Sequence, residues 1–153
     1  MGALVNWRQK NRLVLMEDFF KQIICDTDGK YSVVIEDNGQ VCYAYLLEDK
    51  EIISDVWLYN SAETPITTDW GTSDDMPFMN PRSFSHDENR IIIEGDLDQA
   101  LVNWKFIERK LEKANLVLNG QLIAILKPGA KPGWSINAKN DGPLAKPLFS
   151  EHN

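Results

Sequence analysis

Between Tyr31 and Asn60 the chain alternates β-rich runs with turn residues. Tyr31 to Asp37 is rich in β-branched side chains. Asn38-Gly39 follows, the favoured two-residue hairpin turn, because both residues tolerate positive φ. Gln40 to Glu48 returns, Asp49-Lys50 turns again, and Glu51 to Asn60 runs on as a third strand. Two-residue loops at both turns predict a meander with Ile35 opposite Cys42 and Leu46 opposite Ile53. One face then carries Val33, Ile35, Ala44, Leu46, Ile53 and Trp57, with Asp55 as its polar exception. The other carries Val34, Tyr43, Tyr45, Leu47, Val56 and Leu58. Both faces are largely apolar, which predicts a sheet covered at least in part on both sides.

A different period follows. Leu97, Leu101, Trp104, Ile107, Leu111 and Ala114 recur at helical spacing, and Asp96 with Gln99 forms a capping-box pattern. This predicts a helix at about 96–114, with Leu101, Trp104 and Leu111 buried and Lys105 and Glu112 exposed. Lys105, Arg109, Lys110 and Lys113 would sit toward its C-terminal half, where the helix dipole favours cations. A shorter helix is expected at about 16–24. Residues 90–94 read as a short strand, and residues 116–126 as a hairpin around Asn119-Gly120. The expected fold is α+β: an antiparallel sheet built on the meander at 31–60, with two packed helices. A single domain spans 1–153. It carries a long acidic-aromatic loop at about 61–89 and an irregular Pro/Gly-rich C-terminal segment at about 127–153. Ala-Leu-Val-Asn-Trp occurs at both 3–7 and 100–104, but the flanks share only basicity, so the repeat reads as coincidence.

Composition changes this picture in one respect. The 153 residues are 43% apolar and 25% charged, which fits one globular domain. The charges, however, are segregated. Residues 13–98 hold nineteen acids against five bases, whereas residues 99–153 hold eight bases against four acids. An acidic stretch of this kind steers a basic partner. A net charge of −7 argues against direct nucleic-acid binding, which rests on phosphate neutralisation. No apolar run reaches the ~18–20 residues that span a bilayer, and no signal-type apolar region opens the chain. Asn6 stands where a myristoylation motif wants Ser or Thr. The expectation is a cytoplasmic protein with no membrane contact.

Candidate chemistry is sparse. Cys25 and Cys42 form neither a metal-ligand nor a redox spacing. His86-Asp87-Glu88 is the one histidine–carboxylate cluster, and adjacent loop residues rarely converge on one ion. Asp74-Asp75 reads as a solvated pair. No nucleophile elbow and no phosphate-binding glycine loop is present. The sequence therefore names no catalytic residue, no metal site and no cofactor.

One segment stands out. Residues 67–79 alternate acids with large apolar side chains, and Asp69, Trp70, Asp74, Asp75, Met76 and Phe78 form the candidate partner-binding set. Aromatic residues and Met are enriched at interface centres, and acids at the rim speed encounter with a basic partner. The plainer reading is that Trp70, Phe78 and Met79 tuck into the core and pin the loop.

Small, acidic and without a catalytic signature, the chain resembles the general run of bacterial immunity proteins that neutralise cognate toxins. It does so in type and without a shared motif. That likeness implies a non-catalytic protein-binding module that inhibits a basic toxin, such as a nuclease, through an acidic surface. The alternative is an enzyme or small-ligand-binding domain with a pocket between sheet and helices, lined by Tyr43, Tyr45, Asp55 and Trp57. A third reading is a homo-oligomer joined through an uncovered sheet face.

Overall fold

The computed structural model describes residues 19–62, 78–86 and 97–151. They form two sheets. The first holds β1 (Phe19–Ile24), β2 (Tyr31–Asp37), β3 (Val41–Glu48) and β4 (Glu51–Asn60) in that order, all antiparallel. The second holds β5 (Leu101–Ile107), β6 (Lys110–Leu118), β7 (Gln121–Leu126), β8 (Trp134–Ser135) and β9 (Lys146–Pro147), with only the last pair parallel. Among the described residues the only helical structure is single 3-10 turns at Arg82–Phe84, Leu97–Gln99 and Leu148–Ser150. The α+β expectation is thus corrected to a nearly all-β architecture.

Both predicted helices give way to strands. Residues 19–24 of the first are β1, and residues 16–18 lie outside the described set. In place of the second, at 96–114, residues 97–99 form a 3-10 turn and a hairpin of β5 and β6 begins at Leu101, while Asp96 lies outside the described residues. Val102, Trp104 and Phe106 point one way and are half-buried, while Leu101, Asn103, Lys105 and Ile107 point the other and are exposed. That is period two, a strand signature. Leu101 is therefore 64% exposed instead of buried, while Leu111 is buried as expected. Glu108 and Arg109 close the hairpin at φ +51° and +69°. This is the primed-turn geometry that Asn-Gly normally serves.

The meander keeps its strands but changes its register. Asp37 lies opposite Cys42, and Ile35 opposite Ala44. Gly39, at φ +90°, takes the first central position of the turn with Gln40 beside it. The Asn38 side chain accepts hydrogen bonds from the Gln40 and Val41 N–H groups at 2.9 and 3.0 Å. The shift is even, so the β2 and β3 faces stay as read. At Asp49-Lys50 the two-residue turn holds, with Glu48 opposite Glu51. A bulge between Leu46 and Leu47 then sets Ser54, not Ile53, opposite Leu46. A second bulge between Cys42 and Tyr43 brings Tyr59 back opposite Cys42. Each bulge adds a residue to β4 and flips the side chains beyond it. The Asn119-Gly120 hairpin stands where the sequence puts it, with Leu118 opposite Gln121.

One core cluster draws on both sheets. Val33, Ile35, Leu46 and Val56 come from the first, and Leu116, Ile123 and Leu126 from the second, all essentially inaccessible. The sheets meet on two sides. Tyr31 packs edge-to-face on Phe106, with ring centroids 6.1 Å apart, and Lys21 donates to the carbonyls of Asp98 and Ala100. On the opposite side β4 is not a free edge. Gly129 N–H donates to Ile53 O, Gly133 N–H to Asp55 O, and Trp57 N–H to Leu144 O, at 2.7–2.9 Å. The Pro/Gly-rich segment, expected to be irregular, is thus the seam that joins the sheets. Gly133 is required there, because a Cβ would run into the Ile125 carbonyl. No helix of the described residues is long and apolar enough to cross a membrane.

Candidate functional site

The segment expected to form the acidic-aromatic loop follows β4, and the described residues resume at Phe78. Asp69, Trp70, Asp74, Asp75 and Met76 of the candidate set lie outside the described residues. Phe78 is described, and so is the base that holds both ends of the loop.

The outgoing end is fixed by hydrogen bonds to the β2–β3 turn. Ser61 and Ala62 N–H both donate to Gln40 O, at 2.7 and 2.9 Å. The Ser61 hydroxyl donates to Asp37 Oδ1 at 2.6 Å, and the Tyr59 hydroxyl to Asp37 Oδ2 at 2.9 Å. Gly39 N–H also donates to Asp37 Oδ1, at 2.8 Å. Asp37 is 2% exposed, so its carboxylate depends on these donors for what water would otherwise supply.

The returning end is fixed by Asn60. Its Nδ2 donates to Asn80 O at 2.8 Å, and its Oδ1 accepts Asn80 N–H at 3.0 Å. A side-chain amide here replaces one rung of a backbone ladder. Trp57 Nε1 donates to the same Oδ1 at 2.9 Å and orients it. One residue pair further out, the Tyr43 hydroxyl donates to Phe78 O at 2.7 Å. Behind this, Ser85 bridges the Asn80 and Pro81 carbonyls, and His86 N–H donates to Asn137 O. His86 thereby belongs to the scaffold, while Asp87 and Glu88 lie outside the described residues.

The four residues of the alternative pocket reading do come together. Tyr43 lies opposite Trp57, Tyr45 opposite Asp55, and the two tyrosine rings stack 5.9 Å apart. Tyr45 and Asp55 are half-buried, whereas Tyr43 and Trp57 are packed into the fold. Trp57 is inaccessible, Tyr43 is buried, and the helices that pocket needs are absent among the described residues. Burial raises the Asp55 carboxyl above the usual carboxylate range, and Lys131 nearby opposes the rise.

Chemically the base is an anchor. Burial, with the neighbouring tyrosine and Asp55, pushes the Tyr43 phenol up; burial, with Cys42 and Asp37, does the same at Tyr59. Burial also raises the Cys42 thiol, which leaves it protonated and unreactive. Among the described residues no three His, Cys, Asp or Glu side chains converge as a metal site would.

Asn60 and Asn80 were not singled out by sequence reasoning. The available signals were an Asn at a strand end before a polar loop, and the Asn80-Pro81 dipeptide, a turn marker.

No family model, no curated protein and no solved structure matches this chain. The likeness to immunity proteins therefore gains no relative to support it.

Proposed function

We propose that this chain is a non-catalytic protein-binding module that offers residues 63–77 to a basic protein surface. The observation that carries the reading is the Asn60–Asn80 clamp, which holds the returning end of that loop against the strand from which it leaves. A loop with pinned ends loses less conformational freedom on binding than a free one. Charge supports the same reading. Residues 63–77 hold four acids and no base, and the adjoining stretch 19–62 holds eight acids against three bases. The stretch 97–151, which holds the second sheet and the seam, has eight bases against five acids. The segregation along the chain is thus kept in the described residues, and the acidic stretch 19–62 leads into the loop. The proposal stops at a basic protein partner, since nothing supports a toxin in particular.

The test is capture from the native host on immobilised wild-type chain and on a variant with Asp69, Asp74 and Asp75 changed to Asn. The expected result is a basic protein retained by the wild type and lost by the variant. Retention of the same proteins by both would count against the loop. A small molecule that raises the melting temperature, with no protein recovered, would return the reading to ligand binding.

A further inference from the structure

Strand β5 is an edge strand with one of the usual defences, the exposed Lys105 near its middle, and none of the others. Natural edges are blunted by charged side chains, Lys above all, by Pro, by bulges, by inward charges or by shortness. β5 runs seven residues, Leu-Val-Asn-Trp-Lys-Phe-Ile, with no Pro and no Gly. The irregularity in its pairing with β6 falls on the partner, where Glu112 is the extra residue between Leu111 and Lys113. β5 itself stays regular. Among the described residues its backbone bonds only to β6. Its outward face ends in two exposed apolar side chains, Leu101 at 64% and Ile107 at 52%.

We propose that this edge pairs with the same edge of a second copy, antiparallel about a two-fold axis at Trp104. The sequence of the strand is what selects this occupant. A two-fold at Trp104 sets Leu101 opposite Ile107, Val102 opposite Phe106 and Asn103 opposite Lys105. Each exposed aliphatic end meets the other, and the half-buried Val102, Trp104 and Phe106 meet their counterparts on the inward side. Lys105 is the only charge on the strand, and the symmetry places it against an amide instead of another lysine. An interface of this kind is self-complementary, as a two-fold contact must be. The two five-stranded sheets would then join into one continuous sheet. The proposal does not rest on the protein-binding reading above.

The test is sedimentation equilibrium of the full chain over a range of concentrations. The wild type is expected to reach twice its 17.5 kDa monomer mass. Asn103→Lys puts a lysine opposite Lys105 twice per dimer and should weaken dimerisation by about tenfold. Asn103→Asp puts a carboxylate there instead and should tighten the dimer at low salt, with the gain fading as salt rises. Residue 103 is exposed, so both variants should melt with the wild type, which separates dimer loss from misfolding. A chain that stays monomeric at every concentration overturns the proposal. So does a dimer that ignores both substitutions, or one that shifts the same way with both.

Discussion

Glu151 is a carboxylate with only 7% of its side chain exposed, held between Lys113, inside β6, and Lys127, just past β7. Lys127 Nζ lies 2.6 Å from its Oε2 and Lys113 Nζ 3.5 Å. The hydrogen bond from Lys127 is the main reason its carboxyl is held below the usual range; burial opposes this, and the charge of Lys113 adds to it. A carboxyl whose pKa falls on folding stabilises the fold above its unfolded value. That stability is lost as pH falls through the folded value. Glu151→Gln should therefore lower stability by about 1 kcal/mol at neutral pH, between an exposed pair and a buried one. The difference from wild type should vanish in acid, which melting curves across pH would check. Asp55 carries the opposite sign. Its carboxyl is raised by burial, so its contribution is present below the unfolded value and is lost as pH rises through the folded one. Asp55→Asn should match the wild type in acid and melt higher at neutral pH. Neither role was legible in the sequence. Lys113, Lys127 and Glu151 are far apart along the chain, and only the fold joins them.

At the scale of the element, turn chemistry decided what could be read. Asn38-Gly39, Asp49-Lys50 and Asn119-Gly120 announce hairpins, and hairpins are there. Glu108-Arg109 announces nothing, because neither residue favours positive φ. Without a visible turn, Leu101 to Ala114 reads as a continuous segment, and its apolar residues also fit a helical period. The tertiary fold imposes the turn and bears its backbone strain of about 1–2 kcal/mol per residue. Changing Glu108 to Asn and Arg109 to Gly should recover about 1 kcal/mol of that. Urea denaturation is the measurement, and a loss of stability would show that the two side chains hold the turn in some other way. The bulges of β4 were hidden for a similar reason. They obey the packing of Ser54 and Trp57, with the Ser54 hydroxyl reaching Ala130 O, and leave no mark in local composition. The C-terminal seam was hidden because Pro and Gly mark turns but do not say which strand the turns lie against.

Among the described residues, 19–62 carry net negative charge and 97–151 net positive charge, and one core cluster draws on both. Charge segregation was legible from the sequence; that the basic stretch lies partly along β4 needed the fold. If the acids of residues 63–77 steer a basic partner, association slows as salt rises, because attraction between exposed charges fades beyond ~8 Å at physiological ionic strength. Replacing Asp69, Asp74 and Asp75 by Asn should lower the on-rate and flatten its salt dependence. Replacing Trp70 by Ala should leave the on-rate alone and raise the off-rate, by about 2 kcal/mol or more if the ring sits at the interface centre. Asn60→Ala supplies the third comparison. It removes both hydrogen bonds to Asn80 and leaves the loop's charges in place. Steering should then survive with its salt slope intact, while affinity falls because the loop must be ordered on binding. Asn60 is buried and also accepts from Trp57, so the variant's melting temperature has to be measured alongside. Rates measured on the recovered partner at two or more salt concentrations separate these effects. Should Asn60→Ala change neither rate in a chain that stays folded, the pinned base does not prepare the loop for binding. The acids alone would then carry recognition.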